Sequence, residues 1–341
     1  MTETRTTTPG RRYHLVASLT AGAVLGVLVG LAITAAEPVP GLPEPPAVVR
    51  VALPLVRVLL DVAAVVTTGL CLLSLLVGFD RPKLSAPLLL GARRAAVQTS
   101  LLWVGAALAT LVLQAAELRP GAPLTAASVV EYVVTIAAGK ALVFVAVFGL
   151  LCFGLALWSV RAGDRVPAEL LAAVALFALL PLPVTGHATN PRWHDFTMIS
   201  MELHVLAAAA WTGGLGAVVV VLAANRTLLA HALPRFSKLA TACVLVVTAT
   251  GVFNGFVELV VSPTLGVVEG LFTTDYGLLL LLKVVCLVAL GLLGAKMRYR
   301  LLPAVTAHKP TALVTWAAVE LGVMGLAFGI ATVLTRAPIN V

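Results

Sequence analysis

The sequence predicts an all-α polytopic membrane protein, a bundle of about nine transmembrane helices. Of its 341 residues, 60% are hydrophobic and only 11% are charged, and the mean hydropathy is +1.05. Soluble globular chains carry about 25% charged residues and are under half apolar. Runs of about 20 apolar residues, each long enough to cross about 30 Å of hydrocarbon, recur from one end to the other. These observations place the chain in a membrane.

Nine apolar segments account for the predicted spans. They lie at roughly 14–35, 50–78, 95–117, 127–160, 168–184, 197–223, 238–259, 275–296 and 311–335. The first follows Arg11 and Arg12 and resembles a secretion signal, faintly of the twin-arginine kind. Its apolar run of about 20 residues exceeds the usual 7–15 of such a signal, so we expect a retained anchor.

The remaining eight spans divide into two sets of four. TTGL at 67–70 matches TGGL at 212–215, each in the first helix of its set, and a helix with an internal lysine follows in both. This pattern suggests a parallel 4+4 repeat, as in many transporters, although two unrelated four-helix sets of similar composition would show it too. The predicted organisation is a cytoplasmic tail and first span (1–36), an external proline-rich linker (37–49), an N-terminal half (50–184) and a C-terminal half (185–341).

The basic residues predict which side of the membrane each loop occupies. With the N-terminus inside, sixteen lysines and arginines fall in cytoplasmic segments and four fall outside, at Arg50, Arg119, Arg192 and Arg336. By the positive-inside rule, the N-terminus is cytoplasmic and the C-terminus external. The net charge of +8 does not indicate nucleic-acid binding, because the basic residues collect in short loops.

Residues 186–215 carry the clearest sign of chemistry. They hold three of the six histidines and two of the five methionines. If Phe196 to Leu222 is one helix, steps of about 100° per residue place His194, Met198 and Met201 close to one azimuth. His204 lies about 60° further round. Imidazole beside thioether suits copper, and polar groups at the mouth of a span are usually functional. The predicted ligands of this external copper site are His187, His194, Met198, Met201 and His204.

Each predicted ligand also has an ordinary structural interpretation. His204 can hydrogen-bond across helices, and the methionines can fill gaps in an apolar core. His187 follows Pro181 and Pro183, which should end the fifth helix early, and it can belong to a capping loop. His194 can lie in a solvated turn.

Five sequence blocks resemble the copper-resistance D (CopD) domain in order and spacing. They are HVLAAAAWTGGL (204–215), RFSKLA (235–240), TATGVFNGF (248–256), TDYGLLLLLK (274–283) and AAVELG (317–322), and the C-terminal TRAP (335–338) agrees as well. The resemblance covers about residues 184–341. Residues 1–183 are similar to the N-terminal membrane region of actinobacterial-type members.

The resemblance implies a non-enzymatic inner-membrane protein that moves copper ions inward from a periplasmic donor. No fused chaperone domain of the CopC type is present in the sequence, so a CopC-type donor would be a separate chain. The valence of the copper, Cu(I) or Cu(II), stays open.

Further polar residues are predicted to line the pathway or support the site. Trp211 should pack beneath His204, and Gly213 and Gly214 should let another helix approach closely. We expect Lys283 to pair with Glu320, and Asp61 with Lys140, because unpaired charges are costly at membrane depth. The pathway candidates are Glu202, Trp211, Asn254, Lys283 and Glu320, and the structural pair is Asp61 with Lys140.

The four cysteines, Cys71, Cys152, Cys243 and Cys286, fall inside spans without paired spacing and are expected to be small buried residues, although a thiolate copper exit stays open. Two other functions also stay open. Histidines near helix ends can ligate haem, with methionine as second axial ligand. A copper-binding scaffold without transport would present the same residues.

Overall fold

A computed structural model describes residues 10–35, 44–78, 80–185, 193–261, 266–307, 309 and 311–337. In these ranges the chain is helical and contains no strand. Nine of the described helices are long and apolar enough to cross a membrane, from His14–Ile33 to Leu313–Leu334. The all-α polytopic fold is therefore confirmed.

Twelve α-helices follow one another along the described chain. They are α1 Gly10–Ile33, α2 Ala47–Val77, α3 Pro82–Glu117, α4 Ala126–Thr135, α5 Ala137–Ala162, α6 Ala168–Phe177, α7 His194–Leu222, α8 Arg226–Val261, α9 Val267–Thr273, α10 Asp275–Lys296, α11 Leu302–Thr306 and α12 Leu313–Leu334. Short 3-10 turns occupy Gly163–Arg165 and Leu182–Thr185, and a π-helical turn occupies Met297–Leu301.

Three predicted spans differ from the observed helices, and one of them, predicted at 238–259, begins earlier, at Arg226 of α8. The segment predicted as one span at 127–160 is two helices, because Ile136 between α4 and α5 has extended backbone angles (φ −109°, ψ 130°). Gly139 makes this corner possible, since a Cβ there would lie 2.7 Å from the Tyr132 carbonyl oxygen. The span predicted at 95–117 begins earlier, with Pro82 in the first turn of α3, where a missing N–H costs nothing.

The fifth membrane-spanning segment ends as its prolines predict. Helix α6 stops at Phe177, and a 3-10 turn from Leu182 to Thr185 contains Pro183. Proline removes a hydrogen-bond donor and clashes with the preceding turn, so the α-helix cannot continue through the pair. His187, directly beyond this turn, lies outside the described residues.

Close helix crossings at glycine join the elements of the bundle. α1 packs along α12, where a Cβ on Gly325 would collide with the backbone of α1 at Leu19. α2 crosses α7 where Gly69 faces Gly213, and Gly214 packs against Phe236 of α8. The predicted close approach at Gly213 and Gly214 is confirmed. Although this crossing brings the TTGL and TGGL segments together, the internal repeat and the domain boundaries stay predictions.

The two halves pack differently. In the N-terminal half, α3 packs along both α2 and α5, and the Trp103 side chain is fully buried among them. In the C-terminal half, α7 packs along α8 and α10 along α12, but α8 and α10 barely touch. They meet where Gly255 faces Leu280, near one membrane surface. Below that contact they leave a cavity.

The four cysteines are buried in the bundle and form no disulfide, as expected for small apolar residues.

Candidate metal site and inner cavity

Helix α7 presents the predicted ligands. It runs from His194 to Leu222, so the single helix expected at 196–222 is confirmed. His194 is exposed in the first turn, and Met198 and Met201 are half-buried one and two turns further along. Since side chains three and four residues apart share a helix face, these three form one line running into the membrane. Glu202, the next residue, is half-buried beside this line.

His204 lies deeper and faces α8. Its Nδ1 atom is 2.9 Å from Oγ1 of Thr250. The ring packs against Gly251, where a Cβ would lie 3.4 Å from Cε1 of the imidazole. The ring therefore lies in van der Waals range of α8 at Gly251.

The hydrogen bonds of Thr250 determine the tautomer of His204. Oγ1 of Thr250 is 2.6 Å from the carbonyl oxygen of Val246, so the hydroxyl donates its proton there. It then accepts from the imidazole, which places the proton of neutral His204 on Nδ1. Nε2 keeps its lone pair. A histidine held in this way through one nitrogen is oriented to bind a metal through the other.

Further polar groups surround His204. Both amide atoms of Asn254, one turn along α8 from Thr250, are buried and have no hydrogen-bond partner among the described residues. The same is true of Oγ of Ser200, one turn before His204. Lys283, half-buried on α10, interacts electrostatically with His204. This polar layer joins α7, α8 and α10 within the membrane, in the half where α7 and α10 begin.

Sequence reasoning named His204, Asn254 and Lys283 but missed Thr250 and Ser200. Their signal was helical spacing: Ser200 lies four residues before His204, and Thr250 lies four before Asn254 within the block at 248–256.

The complete five-ligand set is not assembled in the described part of the chain. His187 lies outside it, and no three histidine, cysteine, aspartate or glutamate side chains gather there as a metal-binding group. The imidazole of His204 bonds to Thr250 and to the backbone carbonyl of Val247, and none of the other predicted ligands among the described residues bonds to it. The set of His187, His194, Met198, Met201 and His204 therefore stays a prediction.

Both predicted charge pairs are wrong. Asp61 pairs with Arg57, one turn earlier on α2, with 3.5 Å between Nε and Oδ1. Lys140 is exposed near the start of α5. Lys283 and Glu320 form no ion pair with each other in the structure, although both are described.

Depth explains the separation of Lys283 and Glu320. Lys283 is eight residues from the start of α10, and Glu320 is seven from the start of α12. Consecutive spans start at opposite membrane surfaces, and each residue rises 1.5 Å. Each charge therefore lies about 10–12 Å inside a different surface of a core about 30 Å thick.

Glu320 lies on the wall of a cavity of about 270 Å³ between α7, α8, α10 and α12. Its side chain is 2% exposed, and Oε2 has no hydrogen-bond partner among the described residues. Trp211, buried two turns along α7 from His204, forms another part of the wall, as do Phe236 and Met297. The cavity thus begins beneath the polar layer and reaches the opposite membrane surface at Arg298 and Tyr299, both exposed.

Comparison with known proteins identifies the two halves. Residues 230–334 match the family model of copper resistance protein D, and residues 47–192 match the model of the copper resistance protein D-like N-terminal domain. A copper transport protein of Bacillus subtilis, CutJ, is 32% identical over 122 residues, which cover 34% of this chain and 21% of that protein. The match thus spans about a fifth of the relative's length. No solved structure matches the chain. The two family matches cover the N-terminal half and most of the C-terminal half, and the chain belongs to the copper resistance protein D family.

Proposed function

We propose that this membrane protein takes up copper at an external His/Met site and passes it through its C-terminal half to the cytoplasm. The observation that carries the proposal is the environment of His204. Thr250 engages Nδ1, so Nε2 is the nitrogen that would bind a metal, and the unpartnered polar groups of Ser200 and Asn254 lie one helical turn from His204 and from Thr250. Imidazole and thioether together are ligands that soft copper prefers.

The route follows from the order of groups along α7. His194, Met198 and Met201 lead from the surface to His204, and Trp211 follows at the wall of the inner cavity. Copper bound at the surface would therefore move along one helix, from a shallow His/Met site to a deeper histidine and then to a cavity open at the other side. His187 would complete the outer site. Glu202, beside this line, would attract the cation.

The charge distribution supports an inner-membrane location with a cytoplasmic N-terminus and an external C-terminus. A single cysteine placed at Thr227 or Gly163 should react with an impermeant thiol reagent only from the cytoplasm. One placed at Asn190 or Val341 should react only from outside. External labelling at Thr227 would reverse the proposed direction of the route.

A copper chaperone of the CopC type, on a separate chain, would deliver the metal to the outer site. The family assignment and the external position proposed for His194 support this partner. Copper itself is the cargo and not a resident cofactor.

Uptake into proteoliposomes with a copper-sensitive dye inside tests the proposal. The wild-type protein should admit copper, and His204→Ala should abolish most of the flux. His231→Ala is the matched control, because His231 contacts Asp80 away from the route and should transport normally. Equal flux in both variants would contradict the route through His204. Tight binding without flux would indicate a scaffold, and a Soret band in the purified protein would indicate haem.

A further inference from the structure

We infer that the cavity beside Glu320 is a second copper station, in which this carboxylate and the thioether of Met297 hold Cu(I) before it leaves. The inference rests on the proposed function, since it assumes that copper crosses the C-terminal half. It adds a binding site separate from His204, with a different ligand chemistry.

The carboxyl group of Glu320 is the first reason. It is 2% exposed, lies on the cavity wall, and leaves Oε2 without a partner among the described residues. Buried acidic groups at membrane depth normally pair with a cation or face an ion pathway. The cavity, at about 270 Å³, has room for an ion and several waters, since a water occupies about 30 Å³ of liquid.

The neighbouring cations are engaged elsewhere. Nη1 of Arg298, at the mouth of the cavity, donates to Oγ1 of Thr241 at 2.6 Å. Lys296 lies 4.0 Å above the ring of Trp316. Lys283 lies nearer the other surface of the membrane, within electrostatic range of His204. None of these three cations forms an ion pair with Glu320 among the described residues.

A thioether on the wall of the same cavity favours one kind of cation. Met297 is buried and lines the same cavity as Glu320. Met324, one turn after Glu320 on α12, is also buried in this core. Thioethers are soft ligands that favour Cu(I) over harder ions, and a single carboxylate neutralises its one positive charge.

The backbone at Met297 is unusual in the same place. Residues Met297–Leu301 form a π-helical turn, and Met297, Arg298 and Tyr299 within it line the cavity. Such turns are rare and are frequent at functional sites, because the wider turn redirects side chains. Here the π-turn brings a thioether to the wall at the point where α8 and α10 have separated.

The two stations differ in a way that supports a sequence of transfers. His204 offers a neutral nitrogen in a layer that already contains the amine of Lys283. Glu320 offers a carboxyl group whose Oε2 has no hydrogen-bond partner among the described residues. A cation that reaches the cavity is attracted by the carboxylate of Glu320. The polar layer around His204 offers no such attraction.

Anaerobic titration of the detergent-purified full chain with Cu(I), in competition with a chromophoric Cu(I) chelator, tests the inference. Glu320→Gln keeps the shape and removes the charge, so it should bind one Cu(I) fewer than the wild type. Met297→Leu should lower the affinity for this same Cu(I) ion about 10-fold or more, as loss of a supporting group does at other metal sites. Glu131→Gln, which removes an exposed carboxylate from the N-terminal half, is the matched control and should bind as the wild type does.

His204→Ala separates this inference from the proposed function. His204→Ala should keep the bound Cu(I) ion that Glu320→Gln loses. The double variant of His204→Ala and Glu320→Gln should lose the Cu(I) ions of both sites. If Glu320→Gln and Met297→Leu both retain the full stoichiometry and affinity, the inner station does not exist, whatever His204→Ala shows. A change confined to the pH dependence of flux in Glu320→Gln would also overturn it, because Glu320 would then carry protons. Should Glu320→Gln fail to fold in a thermal melt, Met297→Leu alone decides.

Discussion

The N-terminal and C-terminal halves are built from the same kind of apolar helices but differ in whether their buried charged side chains have partners. In the N-terminal half, Asp61 is held by Arg57, and Arg57 also contacts Thr185. α3 and α5 close tightly on each other there. In the C-terminal half, α8 and α10 separate, and Glu320 faces the resulting cavity without a partner among the described residues. Thr68 and Trp103 of the N-terminal half also have unpartnered atoms, but both side chains are neutral.

We interpret this difference as one between structural charges and charges proposed to be functional. A charge at membrane depth is stable when a neighbour neutralises it or when it can reach water or an ion. Asp61 meets the first condition on its own helix. Glu320 meets the second, because the helices around it leave space instead of a counter-ion. The N-terminal half also borders a cavity, of about 170 Å³, but Arg57 on its wall is the partner of Asp61, so we place copper handling in the C-terminal half.

The largest expected effect is on copper binding when His204 becomes alanine. This change removes the deepest nitrogen and should weaken Cu(I) affinity about 100-fold or more, whereas Met198→Ala and Met201→Ala should weaken Cu(I) more than Cu(II). Competition titration with Cu(I) and with Cu(II) measures both. Unchanged affinity in the His187→Ala, His204→Ala double variant would move the search to the cysteines.

The crossing of the two halves should be a sensitive structural point. Gly69→Ala places a Cβ against the backbone of Gly213 and should cost about 1–3 kcal/mol of stability, as overpacking does elsewhere. Gly105→Ala is the control, because a Cβ there meets nothing within 4 Å, and it should be neutral or slightly stabilising. Thermal melting in detergent compares them. Equal melting temperatures would mean that α2 and α7 do not cross at these glycines.

The ion pair of the N-terminal half gives a smaller effect. Arg57→Met leaves Asp61 without its partner and should lower stability by about 1–2 kcal/mol. Lys140→Met should change stability by less than about 0.5 kcal/mol, because Lys140 is exposed. If Lys140→Met proves the more damaging of the two, Asp61 has a different partner from the one described.

Thr250→Val tests the orientation of His204. The valine keeps the shape but cannot accept from Nδ1, so the imidazole loses its fixed tautomer. We expect copper affinity to fall about 10-fold, the lower end for such supporting groups. Thr248→Val, whose hydroxyl bonds its own helix at Val244, is the control. Nitrogen-15 NMR of the histidine side chain reports the tautomer directly, and a proton on Nε2 would contradict the assignment.

The smallest effect concerns Lys283 and Glu320. Since no ion pair joins them, Lys283→Met and Glu320→Leu should act independently, with an interaction energy below about 0.5 kcal/mol. A double-mutant cycle on thermal stability measures it. Substantial recovery in the double variant would restore the pairing that the sequence suggested and would leave the cavity without a free carboxylate.

The sequence by itself determined the features that belong to single segments. The length of each apolar run gives the nine spans, Pro181 and Pro183 end the fifth segment early, and the spacing of His194, Met198 and Met201 places them on one side of α7. These properties depend on residue type and helical period alone, so they can be predicted from the sequence of a single segment.

Only the tertiary structure decided which polar groups meet. Asp61 bonds within its own helix, His204 reaches Thr250, and Glu320 lies too far in depth from Lys283 to pair. Such meetings depend on how deep each helix sits and how it is rotated, and glycine crossings such as that of Gly69 with Gly213 fix both. Apolar runs tolerate many depths and rotations, so the sequence of one helix does not specify its neighbours. The packing of α7, α8, α10 and α12 together creates the cavity and leaves Glu320 beside it.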